Sequence, residues 1–237
     1  MGRSILTRPA PEPDEELRYG GQVADVWLPV TTGKPLIVLV HGGFWRAEHD
    51  RTHIRVLCRA LRDAGWPVAA SEYRRVAGNP GQTVADIRTA LSVLPERLPA
   101  NGVVLMGHSA GGHLALWAAS TYPPRGLLGV IALAPVADLA AAHEAHLDDG
   151  AVADFLGGAP SARPDLDPRL LDAPPCPVVL VHGRDDTLVP VAQSRSYAAA
   201  HPGARLVVLP GIQHFEPIDP SSTAWPVVLA ELKGLSR

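Results

Sequence analysis

Runs of apolar residues alternate with stretches of helical periodicity along the chain. Most apolar runs have no polar residue at alternate positions, which is typical of strands buried on both faces of a sheet. Strands are predicted at 22–30, 35–43, 66–74, 102–106, 126–135, 177–183 and 204–210. Helices are predicted at 50–65, 80–98, 110–121, 191–200 and 223–235. In the second helix, Thr83 is the predicted N-cap because Asp86 follows three residues later.

This alternation predicts an α/β fold with a mostly parallel central sheet and helices on both faces, because a helix between two strands makes a right-handed crossover. Residues 1–20 are rich in proline and acidic residues, and we predict an N-terminal arm there. Residues 21–237 are predicted to form a single domain. Within it, 137–175 has many Asp, Ala and Pro residues and no clear periodicity, which indicates a short cap-like insertion over one end of the sheet.

Composition narrows the classes of partner. The chain is 46% hydrophobic, 19% charged and carries a formal charge of −3, so nucleic-acid binding is not expected. No segment has the length and apolarity of a signal peptide or a membrane span. We therefore expect a cytoplasmic protein with no membrane partner. The predicted partners are a small-molecule substrate and, at most, a second copy of the chain in a homodimer.

Polar clusters follow several of the predicted strands. Ligands of such sheets bind beyond the carboxyl ends of the strands, so these clusters are expected to meet there. They are 41–43 (His-Gly-Gly), 107–109 (Gly-His-Ser), 182–186 (His to Asp) and the segment around His214.

Ser109 lies in "GHSAG", residues 107–111, between an apolar strand and a predicted helix. In a G-x-S-x-G turn the chain reverses so sharply that side chains at the flanking positions would collide, and the serine hydroxyl is raised above the sheet. One alternative is a serine that only caps the helix. A dinucleotide-binding turn is less consistent with the sequence, because the G-x-G-x-x-G spacing is absent.

A nucleophilic serine needs a base and an acid that orients the base. Among the histidines after Ser109, we favour His214, because it follows the last strand directly. The other candidates are His113, His143, His146, His182 and His201. The segment "HGRDDTLVP" offers Asp185 and Asp186 as the orienting acid, and both remain open on this reasoning.

Backbone N–H groups that stabilise an oxyanion are predicted at Gly43, Phe44 and Ala110, because glycines in "HGGFW" leave the amides unobstructed. Trp45 and His108 are candidate substrate-pocket residues, although Trp45 could equally pack the loop. His49 and His53 are spaced as in a zinc motif, but no glutamate follows His49. No metal and no cofactor are therefore expected.

Together, "HGGFW", "EYRR", "GHSAGGHLA", "HGRDDTLVP" and "HF" resemble the α/β-hydrolase superfamily in its HGG-type oxyanion branch, with likeness to kynurenine formamidases (arylformamidases) and related bacterial esterases. The resemblance assigns the acid to Asp186, three residues before Val189-Pro190. It implies a cofactor-independent serine hydrolase that cleaves a small ester or an aryl formamide through an acyl-enzyme. Alternatives are a general carboxylesterase, an acyl-peptidase-like hydrolase or a non-catalytic binding protein with the same fold. Phe44 stands where lipase-like relatives have a third glycine.

Overall fold

An eight-stranded sheet forms the centre of the computed structural model, which describes residues 4–31, 33–98 and 101–235. Its spatial order is β1-β2-β4-β3-β5-β6-β7-β8. The strands are β1 Glu15–Tyr19, β2 Gln22–Trp27, β3 Leu36–Val40, β4 Val68–Ser71, β5 Val103–His108, β6 Leu127–Leu133, β7 Val178–Gly183 and β8 Arg205–Leu209. The helices are α1 Arg55–Asp63, α2 Pro80–Arg97, α3 Ala110–Thr121, α4 Leu139–Glu144, α5 Ala151–Leu156, α6 Ala192–Ala200 and α7 Trp225–Gly234.

The sheet is mostly parallel, and this confirms the predicted fold class. Strands β4, β3, β5, β6, β7 and β8 pair in parallel, whereas β1 and β2 pair antiparallel at one edge. All five residues of β3 are buried, since its side chains enter two cores on opposite faces. Val38 packs with residues of α2 and α3, and Ile37 packs with residues of α1 and α7. The continuous apolar runs therefore have the physical cause inferred from the sequence.

The predicted boundary of the N-terminal arm at residue 20 differs from the structure. Glu15–Tyr19 is the edge strand β1, paired with β2, so the sheet begins inside the predicted arm. Both Glu15 and Glu16 are exposed, as expected of an edge strand. Strand β1 therefore lacks the continuous apolar run by which the inner strands were predicted. A 3-10 turn at Ser4–Thr7 also packs on the body, and Ile5 is only 2% exposed.

The segment 137–175 is more ordered than its composition indicates. It contains α4, α5 and short 3-10 turns at Leu147–Gly150, Pro160–Ala162 and Pro164–Leu166. Val152, Phe155 and Leu166 from this segment are buried in the same core as α2 and α3. Its elements are only three to six residues long, too short to show a helical stripe in the sequence.

The sequence predicted Thr83 as the N-cap of α2, but in the structure Thr83 lies inside the helix. The helix begins at Pro80, with Asn79 as its N-cap residue. Inside the helix, the Thr83 hydroxyl donates to the Arg74 carbonyl at 2.6 Å, and Asp86 accepts two hydrogen bonds from the Arg74 guanidinium. The pair therefore ties the chain after β4 to α2.

The first turn of α3 touches the end of β3 closely enough to exclude a side chain at Gly111. A Cβ atom there would lie 2.1 Å from the carbonyl oxygen of Val40 and 2.4 Å from that of His41. We expect Gly111→Ala to lower the free energy of unfolding by about 3 kcal/mol, measured by urea denaturation, because backbone atoms cannot move aside. Gly81→Ala in α2 is the matched control, since its Cβ would meet only Asn79 Oδ1 at 3.5 Å. Equal losses in both variants would contradict this account.

Candidate active site

Ser109 occupies a strained turn between β5 and α3, with φ 55° and ψ −120°. Positive φ is rare for residues other than glycine and marks sites where the surroundings enforce the conformation. Here Ser109 N–H donates to the Leu133 carbonyl at 2.9 Å, and the Ser109 carbonyl accepts from the N–H of Val136. Gly107 is required beside it, because a Cβ there would lie 2.2 Å from the Gly111 carbonyl oxygen. These contacts give the G-x-S-x-G spacing its physical reason.

His214 is held in a defined orientation near Ser109. Its Nδ1 lies 2.7 Å from Asp186 Oδ2. Since an ionised carboxylate can only accept, Nδ1 carries the proton and Nε2 keeps its lone pair. His108 Nε2 donates to the backbone carbonyl of His214 at 2.9 Å, and the two imidazole rings are 4.7 Å apart. The His214 ring is therefore fixed through both its side chain and its backbone.

Asp186 is oriented by the turn that follows β7. Its Oδ1 accepts from the N–H groups of Leu188 at 2.9 Å and Val189 at 2.8 Å, and its Oδ2 also lies 3.3 Å from His182 Nε2. Burial by itself would raise the pKa of Asp186, but the hydrogen bonds with His182 and His214 outweigh it and hold the pKa well below its usual range. The carboxylate is therefore ionised at neutral pH.

His182 supports the turn that carries Asp186. Its Nε2 donates to the Val189 carbonyl at 2.8 Å, and its Nδ1 accepts from the Ser194 hydroxyl at 2.7 Å. Asp185 is exposed, and its backbone N–H donates to the Ile212 carbonyl. Of the two aspartates left open by the sequence, the one that contacts His214 is thus Asp186.

The loop after β3 lies directly against Ser109. A Cβ at Gly42 would lie 2.9 Å from the carbonyl oxygen of His108 and 3.0 Å from Ser109 Cβ, so only glycine fits there. Gly43 and Phe44 both have positive φ, at 111° and 47°. Both residues belong to the loop whose Gly42 lies against Ser109.

A buried polar network supports this loop, and the sequence reasoning missed it. His41 Nε2 lies 3.0 Å from Glu72 Oε1, and Glu72 also pairs with the guanidinium of Arg75. The Tyr73 hydroxyl donates to the His41 carbonyl at 2.8 Å. Burial alone would raise the pKa of Glu72, but His41 and Arg75 hold it well below its usual range. The motif "EYRR" was the available signal, since a charged run at the end of a buried strand needs partners.

Ser109 and His214 line one cavity of about 400 Å³. Its walls combine aromatic and aliphatic side chains with four imidazoles. The lining residues are Leu6, Gly43, Phe44, His49, His53, His108, Ser109, Asp148, Leu188, His214 and Phe215. His108, a candidate from the sequence, is among these lining residues. Leu6 comes from the N-terminal segment, and no pattern in the sequence pointed to it.

Trp45 does not fit the prediction of a substrate-pocket residue. It is 4% exposed, stacks on Phe155 at 4.5 Å between ring centroids and meets the His113 ring edge to face at 5.1 Å. Its indole therefore packs the loop onto the inserted segment. The sequence could not distinguish the two roles because the partner Phe155 lies more than a hundred residues away.

Over residues 4–31, 33–98 and 101–235, no group of three or more His, Cys, Asp or Glu side chains is arranged to hold a metal ion. In the same part of the chain, none of the helices has the length and apolarity needed to cross a membrane.

Comparisons with known proteins agree with this architecture. The sequence model of the BD-FAE family matches residues 24–129. A probable carboxylic ester hydrolase, LipM of Mycobacterium tuberculosis, is 27% identical over 78% of this chain and 50% of its own length. Kynurenine formamidase of Salmo salar is 33% identical over 43% of this chain and 35% of its own length. The chain thus spans half or less of the length of these two relatives.

Solved structures show the same fold over nearly the whole chain. The hormone-sensitive-lipase homologue EstE7 from a metagenome library has a TM-score of 0.80 at 20% identity, covering 98% of this chain and 89% of its own. Esterase B from Lactobacillus rhamnosis has a TM-score of 0.75 at 22% identity, covering 96% and 88%. The chain therefore has the α/β-hydrolase fold and is similar to proteins named as esterases and kynurenine formamidases.

Proposed function

We propose that this protein is a serine hydrolase that cleaves small esters or aryl formamides through an acyl-enzyme on Ser109. The observation that carries the proposal is the 2.7 Å contact between His214 and Asp186, beside a cavity that the strained Ser109 also lines. A serine, a correctly protonated imidazole and an ionised carboxylate are the components of this chemistry. The esterase and formamidase names of the relatives support the same class.

In the first half of the reaction, Ser109 Oγ attacks the carbonyl carbon of the substrate, and His214 Nε2 accepts the hydroxyl proton. Asp186 stabilises the resulting imidazolium through the Nδ1 hydrogen bond. When the tetrahedral intermediate collapses, the C–O or C–N bond breaks, and His214 returns the proton to the leaving alcohol or amine. The acyl group remains on the serine oxygen.

In the second half, water attacks the acyl-enzyme, with His214 again removing a proton and then returning it to Ser109 as the acid is released. The tetrahedral intermediate of each half carries a negatively charged oxygen. The backbone N–H groups of Ala110, Gly43 and Phe44 are the donors proposed for it, and each such donor typically lowers the barrier by about 3 kcal/mol. The Glu72 network acts on this step indirectly, because it holds the loop that carries two of the donors.

The size and lining of the cavity favour a small substrate. A volume of about 400 Å³ is near the lower end of ligand pockets, which span roughly 300–1,000 Å³. Phe44, Leu188 and Phe215 offer apolar contact to an aromatic ring or a short alkyl chain. A general carboxylesterase is the second candidate, because esterases are prominent among the similar proteins. The two candidates differ in the bond that is cleaved fastest.

The proposal is tested with an active-site label and a substrate panel. A fluorophosphonate is expected to modify the folded protein once, on the peptide that contains Ser109, and to leave the heat-unfolded protein unmodified. Hydrolysis is then measured on p-nitrophenyl esters of increasing acyl length and on N-formylkynurenine. Turnover of the formamide at a rate comparable to the best ester supports the formamidase assignment, and ester turnover alone supports the carboxylesterase. Absence of both labelling and turnover would refute the proposal.

A further inference from the structure

His53 lines the cavity that contains Ser109. From the sequence, its spacing with His49 only raised a zinc motif that the missing glutamate excludes, and no function was predicted for it. We propose that His53 determines specificity by accepting a hydrogen bond, through Nε2, from an amino or hydroxyl group on the leaving group of the substrate. The preferred substrates are then neutral or cationic esters and amides that carry such a donor beside the scissile bond. This inference rests on the proposed function of Ser109.

The tautomer of His53 follows from its local contacts. Its Nδ1 lies 2.7 Å from the backbone carbonyl of Asp50, and a carbonyl only accepts, so Nδ1 carries the proton. The turn is fixed because the Asp50 carboxylate caps it by accepting from Thr52 N–H at 2.8 Å. Burial and the neighbouring His41 ring, 5.8 Å away between centroids, lower the pKa of His53 to about 4, so the ring is neutral at pH 7. Nε2, at the far edge of a ring that lines the cavity, therefore keeps an accepting lone pair.

His53 shares its cavity with the histidine that would protonate the leaving group. His53, His108 and His214 line the same cavity. The His108 ring lies 4.7 Å from that of His214. Since His214 must deliver a proton to the departing atom, the leaving group lies beside His214. The His53 imidazole lines the same cavity and, in this proposal, accepts from that leaving group.

The charges around the cavity favour a donor and disfavour an anion. Among the described residues, no Lys or Arg lines the cavity, whereas the carboxylate of Asp148 does. The nearby guanidinium of Arg46 is paired with Asp148 at 2.7 Å and with Asp154 at 3.0 Å. Arg8, in the groove beside the cavity, is paired with Asp219. An anionic leaving group would therefore meet carboxylate and lone pairs without a matching cation.

The test compares two acetate esters whose leaving groups have nearly the same size and acidity, 3-aminophenyl acetate and 3-methylphenyl acetate. The ratio of their kcat/KM values is measured for the wild type, His53→Leu and His53→Gln. We expect the wild type to favour the amino ester by about fivefold to tenfold, the effect of one hydrogen bond. The ratio is expected to fall to about one in His53→Leu, which has no acceptor. In His53→Gln the side-chain carbonyl replaces Nε2, and we expect most of the preference to return.

A binding measurement keeps this inference separate from the proposed chemistry. The affinities of 3-aminophenol and 3-methylphenol are measured by calorimetry on Ser109→Ala, with and without His53→Leu, where no turnover is needed. We expect the aminophenol to bind more tightly only when His53 is present. Equal ratios in the wild type and His53→Leu, or equal affinities of the two phenols for Ser109→Ala, would overturn the inference. Loss of turnover with the binding preference intact would instead refute the proposed function alone.

Discussion

Replacing Ser109 by alanine is expected to lower kcat for ester hydrolysis by about 10⁴-fold to 10⁶-fold. Without the hydroxyl no acyl-enzyme forms, and the remaining histidine and carboxylate have nothing to activate, so residual rate comes only from binding and oxyanion stabilisation. The fold should persist, because the contacts that enforce the turn at Ser109 are backbone hydrogen bonds to Leu133 and Val136. Initial rates at saturating ester and a thermal unfolding curve are the measurements.

Ser120→Ala is the matched control for this variant. Ser120 lies on the same helix, α3, and its buried hydroxyl has no hydrogen-bond partner among the residues that the structure describes. It does not line the cavity, so its removal is expected to leave kcat within about twofold and stability nearly unchanged. If Ser109→Ala retained more than a tenth of the wild-type rate while Ser120→Ala behaved as expected, Ser109 would not be the nucleophile.

Replacing Asp186 by asparagine is expected to lower kcat by about 10⁴-fold with little change in KM. The asparagine carbonyl can keep the hydrogen bonds from Leu188 and Val189, which leaves an NH₂ group facing His214 Nδ1. His214 must then accept at Nδ1 and carry its proton on Nε2. In that tautomer it cannot take the proton of Ser109. In the variant, kcat/KM should increase only at high pH, where hydroxide replaces the missing base.

Asp185→Asn is the matched control, since it makes the same chemical change one residue earlier. Asp185 is exposed, and its backbone N–H is bonded to Ile212. We expect its kcat to stay within about twofold of the wild type, because removing an exposed charge perturbs a buried pair only weakly. Comparable losses in both variants would show that Asp186 does not act through His214.

The sequence was sufficient for the fold class and for the elements that carry the candidate site. Strand β5, the turn at Ser109 and helix α3 are determined by local signals, because an apolar run, a glycine pair and a helical stretch follow one another within twenty residues. His214 could be favoured because it directly follows the last strand. Signals of this kind are readable because parallel strands buried on both faces need continuous apolar runs.

The choice between Asp185 and Asp186 shows where local information ends. Both are compatible with a turn after β7, and the motif resemblance favoured one of them without a physical reason. The structure distinguishes them by contacts 28 residues away in the chain, where His214 Nδ1 meets Asp186 Oδ2. The role of Trp45 is a second example. Only its stacking on Phe155, seen in the structure, shows that it packs the loop and does not line the cavity with Ser109.

What the sequence by itself determined is therefore the alternation of strands and helices, the mostly parallel sheet and the turn at Ser109. Tertiary structure alone decided that β1 joins the sheet, that Leu6 and His53 line the cavity and that Glu72 supports the loop after β3. The reason is physical. Hydrophobic periodicity reports the burial of each segment against a core, whereas a cavity is bounded by side chains from distant segments whose juxtaposition leaves no periodic trace.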